Sequence, residues 1–371
     1  MELYIYDNTL SLLGVIDEIA SLLWTRRYWG CGEFKLLAPF TEPNSKLLRK
    51  GNLLMKKGDS EMAEIKYVSI RKNAYGMEEI EVQGRFLTSW LDKRIVLLPI
   101  LVTDTGQNIL RRIVNENLVS PVNTARAIPQ LSLEVNPPDL QSGSIYYQGE
   151  QYRSCLLACE TVAKSAKLGL RITTDIRAGT HLFTVYKGRD LTAYQMENRP
   201  CVFSQEFDNI YEQEFTVSTE NLRTVAYVGG EETAIATDRV VVAVGSYAGH
   251  ERNELFIGAG DIKRSYKEGT TTKTLTLAQY QQLLSARGQK DLEQYTETLS
   301  FESNVNVTGS LLYKTDFDVG DLVTCVDKRW GIKMDVRITE ITESYQKGNT
   351  QITVTFGESL PSLYEKVNRL R

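Results

Sequence analysis

Ala63-Glu-Ile-Lys-Tyr-Val-Ser-Ile-Arg71, followed by Asn73-Ala-Tyr-Gly76 and then Glu79-Ile-Glu-Val-Gln83, is the stretch on which the reading of the fold turns. The outer segments are rich in β-branched and aromatic residues and the four residues between them favour a turn, so a β-hairpin is predicted. In the first arm the apolar set changes step, from Ile65 and Tyr67 to Val68 and Ile70. A β-bulge accounts for that change of face. Short strand signals of the same kind recur along the chain. Leu131, Leu133 and Val135 alternate with polar residues, as do Ile352, Val354 and Phe356, while Val225 and Tyr227 alternate with Thr224 and Ala226. Such alternation puts one face of a strand on a core and the other toward water. Arg239 to Val244 is apolar after its first residue and reads as a strand buried on both faces. The chain is predicted to be mostly β with some α.

Helices are few. Thr105 can cap a stretch in which Ile109, Leu110, Ile113 and Val114 share a face. Gln151 to Leu168 carries Leu156, Cys159, Val162, Ala163 and Ala166 on one stripe, with Gly169 as its stop. A third helix is predicted from Ala278 to Ala286, ending near Gly288, with Thr276 and Gln279 spaced as a capping box. Leu170 to Thr173 and Leu182 to Tyr186 read as a strand pair beside the second helix. Asn136-Pro-Pro-Asp139 through Gly143 is the best linker, and Arg199-Pro200 marks a second boundary. These divide the chain into a β-rich module with one helix at 1–136, a small α/β module at 137–200, and a second β-rich module at 201–371 with a helical insertion near 276–296. No repeat of fixed period is visible.

At 371 residues the chain is long enough for two or three modules. Lys and Arg number 43 against 47 Asp and Glu, a net charge of −4, so charge gives no reason to expect binding to nucleic acid or anionic membranes. Ile95 to Val102 is the longest apolar run and Pro99 interrupts it. A membrane span needs roughly 20 such residues, so none is expected. The acidic start of the chain lacks the basic residues of a secretory signal, which predicts synthesis and retention in the cytoplasm. Five scattered cysteines form no disulfide framework.

Each candidate for chemistry has an ordinary explanation. Cys155 and Cys159 lie on one helix face, where a metal would need two more ligands, and buried small hydrophobes explain them better. His181 and His250, the only two histidines, sit outside any recognised catalytic motif. Asp316, Asp318 and Asp321 lack the later bidentate glutamate of a calcium loop and read as a turn into a strand. Gly258-Ala-Gly260 lacks the third glycine and helix of a dinucleotide site. No catalytic, cofactor or metal site emerges. Trp24, Trp29, Trp90 and Trp330 could stack on sugars if exposed; core tryptophans are the alternative.

A set of ordered, spaced residues resembles a known family. Ser21-x-x-Trp24-x-x-x-Tyr28 and Gly32-x-Phe34 are similar to the opening of the siphophage and prophage ReqiPepy-type tail proteins. The likeness continues in Val82-x-Gly84-Arg85-x-Leu87, Arg94, and Arg126-x-Ile128-Pro129. It then runs through Val185-Tyr186-x-Gly188-Arg189-Asp190 and Val202-Phe203-Ser204 to Phe207-Asp208-Asn209. Gly249-x-Glu251-Arg252-x-Glu254, Gly320-Asp321-x-Val323 and Phe356-Gly357 complete it.

The resemblance implies a baseplate or tail-tip hub: two tube-like β-barrel modules plus smaller domains, assembled as a homotrimeric ring. Such a ring would match three-fold to six-fold symmetry below a tail tube or distal tail protein. It would pass the tape measure protein and DNA without reading sequence, and would hold a central spike, fibre or lysin. The alternatives are a tail-associated cell-wall hydrolase or peptidase, and a receptor- or carbohydrate-binding tail module. With 14 residues after Gly357, no appended lysin domain is expected. On local chemistry, Trp24, Tyr28 and Phe34 are expected in the first core, and Gly32, Gly84, Gly188 and Gly320 in turns or bulges. Arg85, Arg94 and Arg126 are expected either to pair with carboxylates at module or subunit contacts or simply to face solvent. The 19 tyrosines fit either a protein interface or plain β content.

Overall fold

A computed structural model describes residues 1–72, 76–141, 143–149, 151–232, 238–268, 271–306, 309–346 and 349–357. Residues 73–75 of the predicted turn lie outside that set, as do residues 358–371. Two compact units are present: Met1–Glu214 with Phe301–Gly357, and Phe215–Ser300. Residues 1–136 and 137–200 therefore share the first unit, and 301–357 return to it.

The first unit begins with β1 (Leu3–Tyr6), β2 (Leu12–Ile16), β3 (Ser21–Arg27) and β4 (Glu33–Pro39). The short helix α1 (Glu42–Leu47) leads to β5 (Leu53–Lys56), β6 (Met62–Lys72) and β7 (Glu78–Phe86). Strands β6 and β7 are the predicted hairpin, and their register slips between Ile65 and Tyr67 where the bulge was expected. Next come β8 (Leu101–Thr105), α2 (Gly106–Val114), β9 (Leu131–Leu133), β10 (Ser144–Gln148) and α3 (Cys155–Ala166). The Thr105 hydroxyl accepts from the Asn108 amide, the cap that the sequence called for. Strands β11 (Gly169–Asp175) and β12 (Thr180–Tyr186) pair antiparallel, and β9 joins β12 in parallel. Short strands β13 (Asp190–Leu191) and β14 (Val202–Phe203) precede β15 (Ile210–Ser218), in which the chain leaves the unit.

In the second unit β16 (Val225–Gly229) lies between β17 (Val241–Val244), its antiparallel partner, and β18 (Glu254–Gly258), its parallel one. A hairpin of β19 (Ser265–Glu268) and β20 (Thr271–Thr274) precedes α4 (Leu277–Leu292). Thr276 and Gln279 form the complete capping box. Ala226, Val228, Ile257, Tyr280 and Leu284 make the core beneath that helix. Two expectations fail here. Strand β17 is an edge strand with Val241 exposed, because only one of its faces meets the helix. Gly288 does not end α4: a Cβ there would lie 2.6 Å from the Val228 side chain, so glycine lets the helix sit close on its sheet.

The chain re-enters the first unit in β21 (Thr298–Val305) and ends with β22 (Leu322–Asp327), β23 (Ile332–Gln346) and β24 (Asn349–Gly357). The main sheet has 14 strands, with the path β15-β21-β24-β23-β3-β4-β7-β6-β5-β1-β2. Its two end strands do not pair with each other among the described residues, so this path is open. The first half of β23 pairs with β22, which also takes β13 and β14 in parallel; the second half lies between β24 and β3. The start and end of the chain are thus woven into one sheet. No helix among the described residues is long and apolar enough to cross a membrane.

Candidate functional site: a joint of glycines and buried ion pairs

The period-two rule places Leu22, Trp24 and Arg26 on one face of β3, and all three are buried. Trp24 packs against Phe86 at 4.6 Å and Phe34 at 6.0 Å between ring centroids. Two glycines make that packing possible. A Cβ on Gly84 would lie 2.1 Å from the Glu64 carbonyl oxygen and 2.5 Å from the Phe34 ring, and one on Gly32 would lie 2.5 Å from the Thr25 oxygen. Both were expected in turns or bulges; close approach is what requires them, and in Gly84's case the approach is to the strand that carries the bulge.

The second cluster of motif residues meets where β13 joins β22. A Cβ on Gly188 would be 1.7 Å from the Gly320 carbonyl oxygen, so the two backbones touch. Gly320 itself has φ +98, a conformation open to glycine and costly to other residues. The buried Asp321 carboxylate accepts from the Arg189 backbone N–H at 2.8 Å, from Arg189 Nη2 at 2.7 Å and from the Asp318 N–H at 2.9 Å. Leu322 N–H donates back to the Arg189 carbonyl at 2.9 Å. Tyr28 closes the group: its ring meets Tyr186 edge-on at 5.3 Å, its hydroxyl donates to the Lys167 carbonyl at 2.9 Å, and the Arg337 guanidinium lies over it at 5.1 Å. A Cβ on Gly169 would be 2.4 Å from the Tyr28 ring. That contact requires glycine at 169, which opens β11; the helix before it ends at Lys167, in a left-handed conformation.

Between these clusters lies a network of buried charges that the sequence reading did not single out. Arg26 donates from Nε to Glu61 at 2.7 Å, and from Nη1 to Asp318 at 2.6 Å and to the Tyr313 hydroxyl at 3.1 Å. Lys56 pairs with Glu343, which also accepts from the Tyr345 hydroxyl, and Lys314 reaches Asp59 at 3.0 Å. Burial would raise the Asp59 carboxyl, but Lys314, Lys56 and Arg26 together hold it below the usual range. Burial depresses Lys56, and Glu343 only partly offsets that. Alternation was the available signal, since Arg26 falls in step with Trp24, and Glu343 with Ile341 and Tyr345.

Other expected residues are placed differently. Arg94 and Arg126 bond backbone carbonyls, Arg94 Nε to the Arg126 oxygen at 2.7 Å and Arg126 Nη2 to the Ile95 oxygen at 2.6 Å, where carboxylate partners were one expectation. Arg85 lies 3.5 Å from Asp92 at the surface. Asn209 is buried, donating to the Val202 oxygen at 2.8 Å and accepting from Ser204 N–H at 2.9 Å; Asp208 before it is left-handed with φ +52. Burial pushes the Cys31, Cys155 and Cys201 thiols up to about 12, so none supplies a thiolate near neutrality. Trp24 and Trp90 are buried, and Trp330 is exposed. Glu212, Glu214, Glu302, Asn304 and Thr353 line an open hollow of about 290 Å³, where burial and then Glu214 and Glu340 raise the Glu302 carboxyl. Among the described residues no three potential ligands gather as a metal site.

The family model described as Siphovirus ReqiPepy6 Gp37-like protein matches residues 2–358. No curated protein matches the chain in sequence. Among solved structures, a tail protein from Neisseria meningitidis MC58 is 14% identical, with a TM-score of 0.57 and 96% of each chain covered. The 43 kDa tail protein of prophage MuSo2 from Shewanella oneidensis is 15% identical, with a TM-score of 0.57 over 96% of this chain and 98% of that one. Prophage tail protein gp18 from Listeria monocytogenes EGD-e is 10% identical, with a TM-score of 0.54 over 100% and 98%. At these identities the likeness is one of fold.

Proposed function

The chain belongs to the Siphovirus ReqiPepy6 Gp37-like protein family, and we propose that it is a non-enzymatic structural hub at the tail tip or baseplate of a phage or phage-like particle. The observation that carries this reading is the end-to-end likeness of fold to three proteins described as tail proteins. In this role three chains assemble through their β-rich modules as a homotrimeric ring, adapting three-fold to six-fold symmetry. The ring joins a tail tube or distal tail protein to a central spike, fibre or lysin, and lines a channel for the tape measure protein. The protein is made in the host cytoplasm and ends up in the particle. The joint suits such a part, because touching glycine backbones and buried ion pairs resist deformation and leave little for a reaction to use. Arg85, half exposed, is the motif arginine available to a subunit contact. Native mass spectrometry and averaged images of assembled particles test the reading: a ring of three at the tail tip is expected. A chain that stays monomeric at every concentration and beside every tail partner refutes it.

One observation favours a second reading, a cell-wall hydrolase. The raised Glu302 carboxyl beside Glu214 in an open hollow has the pattern of an acid and base pair. Burial on the sheet, with cross-strand repulsion from Glu214 and Glu340 added to it, explains the same shift without catalysis. Turnover of purified cell wall that Glu302→Gln abolishes would establish the hydrolase; no turnover above background would dismiss it.

A further inference from the structure

The run Ile95 to Val102, the longest apolar stretch of the chain, is apolar on both of its faces. Val96 and Ile100 point into the core of the first unit. Ile95, Leu97, Leu98 and Leu101 face water, with Leu98 61% and Leu101 65% exposed. An extended segment with one wet face normally alternates apolar with polar residues, and one that is apolar on both faces is normally covered on both. Here the chain itself supplies only one of the two covers. The run is also firmly held. Ile95 bridges Ser154, and Val96 makes backbone hydrogen bonds of 2.8 Å to Arg153 and to Tyr152. The Leu97 N–H donates to Asn117 Oδ1 at 3.2 Å, and the Gly149 N–H to the Ile100 oxygen at 2.8 Å. Tyr152 is 62% exposed and left-handed with φ +68, a costly conformation for a bulky residue. Apolar side chains already fixed in this way lose little further freedom when a partner covers them.

Two arginines border this face. Arg126 Nη2 donates to the Ile95 carbonyl at 2.6 Å, and Arg94 Nε to the Arg126 carbonyl at 2.7 Å. Both side chains are half-buried, and the remaining bonds they make go to the Lys93 carbonyl and to Asn117 Oδ1, which are neutral oxygens. Arg94 Nη2 and Arg126 Nε and Nη1 have no acceptor among the described residues. The nearby acids are engaged with other groups. Asp92 accepts from the Ser154 hydroxyl at 2.6 Å and lies 3.5 Å from Arg85. Glu64 holds Lys93 at 2.9 Å, and Glu116 holds Arg112 at 2.7 Å. A half-buried guanidinium bonded only to neutral oxygens is short of a counter-charge. The surface lacks two things, an apolar cover and a carboxylate.

We propose that this face docks a segment of a different protein, one that carries aliphatic side chains and a carboxylate. The aliphatic side chains cover Leu97, Leu98 and Leu101, and the carboxylate takes the free donors of Arg94 and Arg126. Charge and donor geometry select this occupant. Two copies meeting face to face here would set arginines against arginines. A membrane surface recruits proteins through clusters of about four to eight mobile basic residues, whereas here two arginines lack a carboxylate and Lys93 is already paired. A planar guanidinium anchored through its own bonds to backbone carbonyls is suited to one carboxylate in one place. The inference stands on this surface alone and survives if no ring of three forms.

The test presents the native full chain with a display library of short random peptides, then measures the affinity of the enriched peptides, made synthetically, by fluorescence polarisation. Peptides that pair an aspartate or glutamate with leucine, isoleucine or valine are expected. Leu98→Ser combined with Leu101→Ser removes only exposed side chains, so the fold is kept, and it should weaken binding at least about tenfold. Arg126→Lys, which keeps the charge and loses the fork, should weaken it on the order of tenfold. Changing the peptide's own carboxylate to its amide should cost about as much, and that arm holds even where an arginine variant fails to fold. No enriched peptide, enriched peptides without a carboxylate, or affinities indifferent to the leucine changes overturn the proposal. So does self-association of the chain, seen in sedimentation, that the leucine changes abolish, because the occupant is then a second copy. Binding to phosphatidylserine–phosphatidylcholine vesicles that the same changes abolish overturns it in favour of a membrane.

Discussion

Replacing Arg26 with methionine removes the cation on which Glu61 and Asp318 converge, at 2.7 and 2.6 Å. The Arg26 and Glu61 side chains are nearly fully buried and Asp318 is about one-third exposed. The stranded Glu61 is therefore the main cost. Removing one partner of a buried pair typically costs about 3–5 kcal/mol. The assay is guanidinium unfolding followed by the fluorescence of Trp24 and Trp90, both in the core of this unit. A double-mutant cycle with Glu61→Gln isolates the pair, and the double variant should recover about 2 kcal/mol of the single loss. A loss below about 1 kcal/mol at pH 7, or strict additivity with Glu61→Gln, would refute the claim that this pair is buried and coupled.

Gly188→Ala should cost at least about 3 kcal/mol or abolish soluble expression, because its Cβ meets the Gly320 backbone at 1.7 Å. Gly51→Ala, at φ +92 with open space around it, should cost only about 1 kcal/mol in the same unfolding assay. His181 is fully buried with Nδ1 on Thr174, and burial lowers its pKa to about 4. Its folded value lies below the unfolded one, so the folded state resists protonation and stability falls between about pH 6.5 and pH 4. The ceiling is about 3.4 kcal/mol, and His181→Gln should flatten that slope in denaturant titrations across pH. All five cysteines are buried, so a thiol reagent should label none in the native chain and five once the chain is unfolded. Lys56→Met combined with Glu343→Met should leave stability within about 2 kcal/mol of wild type, yet lower the yield of correctly paired protein on refolding; an unchanged yield counts against a registry role for that pair.

Features set by near neighbours in the chain were legible. The hairpin of Ala63 to Gln83, the bulge after Ile65, the Thr105 cap and the Thr276 capping box all depend on residues a few positions apart. Trp24 and Phe34 were named through the spaced motif set, and both lie in the core. Features set by distant approach were not legible. Gly288 looks like a stop until Val228 and Val244 are placed against it, and Gly169 looks like a helix terminator until Tyr28 stands over it. Strand β17 reads as buried because valine runs do, and only the sheet order makes it an edge. In the joint, Gly188 and Gly320 were named, but nothing local says that they touch. Arg26 was passed over because a charge in an inward position looks like an exception until Glu61 and Asp318 are found opposite it.

The pairs that hold the joint are far apart in sequence: 292 residues separate Arg26 from Asp318, and 287 separate Lys56 from Glu343. Chain entropy is a weak objection to such contacts. Closing a loop of about 290 residues costs only about 2 kcal/mol more than closing one of about 30, less than the loss expected from Arg26 alone. Register is the harder problem. Strand β23 must align with β3 so that Glu340 faces Arg27 and Glu343 faces Trp24. Leucines facing leucines would tolerate a slip of two residues, which keeps the same side chains inward. Buried charges do not, because a two-residue slip takes Glu343 from Lys56 and leaves both without a partner in a medium that penalises each heavily. A one-residue slip turns Glu343 to the opposite face altogether. On this reasoning the ion pairs at the seam contribute selectivity more than net stability. They make one alignment of the first and last strands much better than its neighbours.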